Sequence, residues 1–232
     1  MAEFLFMLTK DDATVIDCLD VYDEVRGTDL AWVGFKDIGV DTATLRELVR
    51  RIRADSRQTV LEIVSVDADA EVASVKAGID LGVDLMMGGT RADLALPLLA
   101  GTGIRYMPFP GMIVGHPSVL EGTLESIAES ARALTAMHGV AGVDLLAYRW
   151  QGDVPVLIER VVAASAGPVV VAGSIVTAEQ IGIVTRARAW GFTIGGAVFD
   201  RRLVPGGSVR DQVTWTLDAA RSAAGGVGNG RP

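Results

Sequence analysis

Three lysines, Lys10, Lys36 and Lys76, stand among 21 basic residues. Arginine stays protonated, whereas a lysine shielded from water can lose its proton and act as a base or form a Schiff base. Lys10 follows the apolar run at 3–9, and Lys36 follows the run DLAWVGF at 29–35. Both therefore stand where a strand ends. Lys36 has the parity of Trp32 and Gly34, so Lys10 and Lys36 can face one pocket. Lys76 falls mid-helix and reads as solvated. Glu62 lies inside an apolar strand run, where an unpaired carboxylate is costly. It needs a partner, and Lys36 on the neighbouring strand is the natural one. Such a pair separates two pKa values, as acid–base catalysis requires. The alternative is a structural ion pair filling the mouth. Asp11, Asp37 and Asp67 gather at the same rim. Asp67 is a candidate catalytic acid, and a helix N-cap is its other reading.

A second group has the chemistry of anion binding. One apolar run ends Ala172-Gly173-Ser174-Ile175, and another holds Gly195-Gly196. Glycines without a Cβ let backbone N–H groups approach an anion closely, and Ser174 adds a hydroxyl donor. Turn formation is the plain alternative. Arg149, in the triplet Tyr148-Arg149-Trp150, can hold a carboxylate or second anion, or pair with Asp153. The Pro/Gly-rich stretch 108–117 is long for a strand–helix loop and carries His116, a candidate acid or base. His138 beside Gly139 reads as a helix-end residue. Arg91, after Gly-Gly-Thr, can also reach an anion. Cys18 lies on an apolar helical stripe and reads as core.

Eight short apolar runs must position these residues. Strands are expected at 3–9, 29–35, 59–66, 83–88, 104–109, 142–147, 168–172 and 192–199. Helices are expected at 12–26, 42–55, 70–81, 91–99, 120–137, 154–164, 178–190 and 209–223. Runs such as VVVA and VDLLA are nearly continuously apolar, as in parallel strands covered on both faces. Eight such units close into a single-domain (β/α)8 TIM barrel over residues 1–222, in preference to an open doubly wound sheet. The Gly-rich tail at 223–232 is expected to be disordered. Trp190 and Trp215, on outer helices, are a weak hint of a subunit contact.

The segments VVVAGSI and FTIGGAVFD resemble the phosphate-gripping end of the ribulose-phosphate-binding barrels. That superfamily includes histidine- and tryptophan-pathway barrels, phosphosugar epimerases and 3-keto-gulonate-6-phosphate decarboxylase-like enzymes. The resemblance implies that the backbone of Gly173, Ser174, Gly195 and Gly196 holds a substrate phosphate, and that the protein is a homodimer. The segment LEIVSVDADAEVASVKAGIDLGVDLMMGG is similar to strands three and four of the decarboxylase-like group. That group carries Asp-x-Lys-x-x-Asp, where this chain has Glu62, Val64 and Asp67. In the group the lysine protonates the developing carbanion, and the acids bind metal or orient the lysine. Val64 cannot donate a proton, so the group's own apparatus for decarboxylation is incomplete. An epimerase of this superfamily needs histidine metal ligands on several strands, and the chain has only His116 and His138.

Composition narrows the classes. A net charge of −8 over 232 residues, without a basic run, argues against nucleic acid as a partner. The lone cysteine excludes an internal disulfide and a cysteine-based metal cluster. No apolar run reaches the about 18 residues of a membrane span. The N-terminus has no basic segment before its apolar stretch, so a cytoplasmic protein without membrane attachment is expected. The expected function is a carbon–carbon lyase of aldolase or decarboxylase type acting on a small phosphorylated sugar or sugar acid. An isomerase or epimerase is the close alternative. A prenyl transferase on a glycerol-phosphate-like acceptor, and a non-catalytic phosphometabolite binder, are the others. No organic cofactor is called for, and a divalent metal is left open.

Overall fold

The computed structural model describes residues 1–65, 67–115 and 117–226. Eight strands alternate with helices: β1 (Glu3–Met7), β2 (Trp32–Phe35), β3 (Gln58–Ile63), β4 (Leu85–Gly88), β5 (Arg105–Met107), β6 (Val143–Leu145), β7 (Val169–Val171) and β8 (Gly191–Ile194). All pair in parallel, in the order β6-β7-β8-β1-β2-β3-β4-β5. The two ends of this sheet meet. Ala141 N–H donates to the Tyr106 carbonyl at 2.8 Å, and Asp144 N–H donates to the Pro108 carbonyl at 3.0 Å. The result is a nearly closed parallel barrel, consistent with a (β/α)8 architecture.

The near-continuous apolar runs divide by parity into two cores, because successive strand residues point to opposite faces. Phe4, Phe6, Val33, Phe35, Leu61, Ile63, Val143, Leu145 and Phe192 face the surrounding helices. Leu5, Trp32, Val60, Leu85, Met87, Met107 and Val170 form a separate cluster inside the barrel. Toward the start of the strands this interior is plugged by aromatic rings. Trp32 and Trp190 meet edge-on at 5.3 Å, and the Arg105 guanidinium lies 4.9 Å from the Trp32 ring centre. Higher up, Gly34 makes room for Met7: a Cβ at residue 34 would come within 2.2 Å of the Met7 sulfur.

The helices are α1 (Cys18–Val25), α2 (Thr42–Ala54), α3 (Ala68–Leu81), α4 (Ala92–Leu99), α5 (Leu124–Thr135), α6 (Val154–Ala164), α7 (Ala178–Arg186), α8 (Gly196–Phe199) and α9 (Val209–Gly226). Side-chain caps fix several starts: Asp41 on α2, Asp67 on α3, Thr123 on α5, Asp153 on α6 and a Thr177–Gln180 capping box on α7.

Four expectations need correction. The first helix begins at Cys18 instead of residue 12. Residues 9–14 form a small antiparallel hairpin, Thr9–Lys10 with Ala13–Thr14, turned by Asp11 and Asp12 at φ 49° and 59°. The helix expected from residue 120 begins at Leu124, because Val119–Glu121 pairs with Met112–Val114 in a second hairpin. Strand eight ends at Ile194, and Gly196–Phe199 is one helical turn. The last helix continues through residues 223–226, part of the segment expected to be disordered; residues 227–232 of that segment lie outside the described residues. Trp190 lies beyond the end of α7 instead of on a helix and meets Trp32 edge-on, while Trp215 on α9 packs part-buried against the core. Among the described residues, no helix is long and apolar enough to cross a membrane.

Candidate active site

The C-terminal ends of the strands surround a cavity of about 230 Å³. Its lining includes the side chains of Lys10, Asp12, Lys36, Glu62 and Arg149 together with Gly173, Ser174, Gly195 and Gly196.

Lys36 is held there by the first hairpin. Thr14 Oγ1 donates to the Lys36 carbonyl at 2.7 Å and accepts from its N–H at 2.9 Å, and Thr14 N–H donates to the Ile38 carbonyl. This clamp sets the hairpin turn over the end of β2. Asp12 then meets Lys36, with Nζ to Oδ1 at 2.8 Å, while Glu62 reaches in from β3 with Oε2 at 3.4 Å. All three are buried; Lys36 is 3% exposed. The expected Lys36–Glu62 pairing is therefore a contact in the structure, and Asp12 is a second partner that sequence reasoning missed. Arg149 Nη1 lies 3.9 Å from Asp12 Oδ1 and donates to the Ser118 carbonyl at 3.1 Å. Arg149 alone of its triplet faces the cavity: Trp150 Nε1 donates to the Gly122 carbonyl, and burial pushes the Tyr148 phenol up to about 12.

A fifth ionisable group lies inside the barrel. Asp144 of β6 is fully buried and sits in register with Val170, on the interior face. Neither of its carboxylate oxygens has a hydrogen-bond partner among the described residues. Burial raises its carboxyl well above the ordinary range, the Glu62 charge pushes it further up, and Lys36 and Arg149 pull against that. An acid interrupting an apolar strand was the available signal, the same one that singles out Glu62.

The wall at the ends of β7 and β8 is backbone. Gly173 has φ 87° and Ser174 φ 46°, a left-handed conformation that costs a non-glycine residue. Among the described residues, the N–H groups of Gly173, Ser174, Gly195 and Gly196 donate to no protein acceptor. The glycines have different reasons. A Cβ on residue 173 would come 2.8 Å from Arg149 Cγ, and one on residue 195 would come 2.8 Å from the Thr9 carbonyl; one on residue 196 would meet nothing within 4 Å.

Other expected residues have structural partners. Lys10 lines the rim but pairs with Asp200 at 2.7 Å, both half-exposed, and this hydrogen-bonded pairing raises the Lys10 ammonium. Asp67 is exposed and accepts from the N–H groups of Asp69 and Ala70, so its observed role is the cap of α3. Asp37 accepts from Ser74, and Arg91 meets the buried Glu71. His138 is exposed. His116 lies outside the described residues. Val64, at the place of the decarboxylase-like group's lysine, lines the cavity. The metal possibility finds no ligand set: among the described residues no three His, Cys, Asp or Glu side chains are grouped to hold an ion.

No family model matches the sequence, and no curated protein matches it. Solved structures do resemble it in fold. A chain from the crystal structure of the Amycolatopsis orientalis BexX/CysO complex is similar with a TM-score of 0.65 at 18% identity, over 100% of this chain and 93% of that one. A chain of a cube-shaped, highly porous cage designed by fusing symmetric oligomeric domains is similar with a TM-score of 0.69 at 15% identity, over 97% and 74%. At these identities the likeness concerns the fold alone.

Proposed function

We propose that the protein is a (β/α)8 barrel of the ribulose-phosphate-binding kind, and a carbon–carbon lyase of aldolase or decarboxylase type for a small phosphorylated sugar or sugar acid. One observation carries this reading. The buried Lys36 amine, held between Asp12 and Glu62, shares a small cavity with a wall of undonated backbone N–H groups at Gly173–Ser174 and Gly195–Gly196. That wall suits an anion, and Arg149 adds a cation beside it.

The chemistry follows from the pair. Glu62 takes a proton from Lys36, and the freed amine adds to the substrate carbonyl carbon. One nitrogen proton passes to the new alkoxide, giving a neutral carbinolamine; Glu62 then returns its proton to that hydroxyl, which leaves as water, and an iminium remains. The electron pair of the bond between the α carbon and the next carbon then flows toward the iminium nitrogen, giving a neutral enamine. The departing fragment is carbon dioxide from a carboxylate, or an aldehyde whose hydroxyl proton passes to a cavity carboxylate. Protonation of the enamine carbon and hydrolysis by water restore Lys36. An anchored phosphate supplies binding energy remote from the reacting carbon.

Borohydride reduction in the presence of phosphorylated aldoses and ketoses tests this route. An adduct on Lys36, and none on Lys10 or Lys76, is expected; absence of any adduct across the panel removes the imine mechanism. The second reading is an isomerase, favoured by the position of Glu62, whose carboxylate lines the cavity and can move a proton next to a carbonyl. Deuterium uptake from solvent into unbroken substrate selects it. The charged lining stands against an apolar prenyl donor. The superfamily reading brings a homodimer with it, and sedimentation velocity measures that mass.

A further inference from the structure

Among the described residues, three acids are buried in the barrel and its mouth, Asp12, Glu62 and Asp144, with the buried Lys36 and the part-exposed Arg149 as the cations acting on Asp144; Lys10, Asp11, Asp200 and Arg202 also line the cavity but are exposed. If the inner five were all ionised, one negative charge would be left over. Asp12 and Glu62 have the Lys36 ammonium at 2.8 and 3.4 Å. Asp144 is fully buried, and neither oxygen has a hydrogen-bond partner among the described residues. A bare carboxylate in such a place costs several kcal/mol more than a neutral carboxyl.

Among the described residues, the strands beside it present apolar groups to the interior. β7 presents Val170 beside it and β5 presents Met107 to the interior. Arg105 of β5 lies against Trp32 and Trp190, and Tyr106 lies near Glu71. α5 and α6 pack on the other face of the sheet, against Val143 and Leu145. The charged groups that act on Asp144 are Glu62 from β3, Lys36 from the end of β2, and Arg149 from the turn after β6.

We propose that Asp144 is a positioning residue: an uncharged carboxyl buried on the interior face of β6, which leaves the site with two positive and two negative charges and so leaves Lys36 able to give its proton to Glu62. An ionised Asp144 would add a third negative charge and hold that proton on Lys36. The proposal rests on the reading of Lys36 as the reactive amine, but its measurement is separate.

Carboxyl-¹³C aspartate labelling of the whole protein reads Asp144. ε-¹³C lysine labelling gives three lysine signals, assigned with Lys10→Arg and Lys76→Arg. One aspartate signal in the uncharged position at neutral pH, missing in Asp144→Asn, is expected. As pH rises, the Lys36 signal should step where the Asp144 signal moves, and that step should vanish in Asp144→Asn. A fully ionised aspartate set at neutral pH overturns the proposal, as does a Lys36 step that persists in the variant. If Asp144→Asn does not fold, the wild type decides: coincident steps support the proposal, and no uncharged aspartate overturns it. Borohydride trapping reads Lys36 alone, so a failed imine reading is distinguishable from a charged Asp144.

Discussion

The Arg149 side chain passes directly over Gly173, so closely that a Cβ on residue 173 would come 2.8 Å from Arg149 Cγ. The glycine gives Arg149 its path toward Asp12 and the cavity while also supplying a backbone N–H to the cavity wall. Gly173→Ala must therefore act twice. It places a side chain at φ 87°, which costs about 1–2 kcal/mol, and it displaces Arg149. Thermal unfolding should show the loss in stability, and any stabilisation by phosphorylated sugars should weaken with it.

Gly196→Asp separates folding from binding. A side chain there meets nothing within 4 Å, so the melting temperature without ligand should stay close to wild type. The added carboxylate would repel an anion at the wall. Thermal shift with inorganic phosphate and a panel of phosphorylated sugars and sugar acids checks this: a shift in wild type, which can reach about 2.7 kcal/mol at a hundredfold excess over Kd, should be absent in the variant. An equal shift in both places the anion elsewhere.

Lys36→Met leaves Asp12 and Glu62 buried without their ammonium. Breaking a buried pair from one side costs about 3–5 kcal/mol. Two buried carboxylates without a counter-ion are most costly where both are ionised. The cost should accordingly be smallest near pH 5 and grow toward pH 8. Urea denaturation at several pH values measures it. Lys10→Ala is the contrast: its pair with Asp200 is exposed, so its loss should leave stability close to wild type and leave trapping at Lys36 intact.

Asp144→Asn should become more favourable, relative to wild type, as pH rises. The Asp144 carboxyl is raised in the folded state, so over the window above its unfolded value the native protein holds a proton that the unfolded chain has released. Wild-type stability then falls with rising pH, by about 1.4 kcal/mol per pH unit from this group, until Asp144 ionises in the folded state. The amide does not titrate and lacks that slope. Denaturation at pH 5, 6 and 7 should show the gap moving in the variant's favour; parallel curves would rule out a protonated Asp144.

Much of the frame was legible because strand parity carries it. The apolar runs and their spacing marked eight strands, and the parity of Trp32, Gly34 and Lys36 put that lysine on the interior side. Glu62 was legible as a buried acid in need of a partner. Asp144 offered the same signal inside VDLLA, but there the apolar majority masked the one residue that broke the pattern. Asp12 was hidden differently. The run after Lys10 has helical composition, and only the left-handed turn at Asp11–Asp12 reveals the hairpin that carries Asp12 to Lys36. Asp tolerates that conformation, so the Asp-Asp pair was the turn signal. The Ser118 contact of Arg149 depends on a tertiary approach that no local pattern encodes.

The Trp32–Trp190 plug also bears on how the chain assembles. Trp32 belongs to the second strand and Trp190 immediately precedes the eighth, so their edge-on contact requires distant parts of the chain to meet across β1. Closing so long a loop is entropically slow relative to forming neighbouring units. With Trp150 and Trp215, the chain's other two tryptophans, replaced by Phe, these indoles become fluorophores for ring closure: in stopped-flow refolding, their change in emission should lag the far-ultraviolet signal of the helices, timing the moment at which the first strand joins the last.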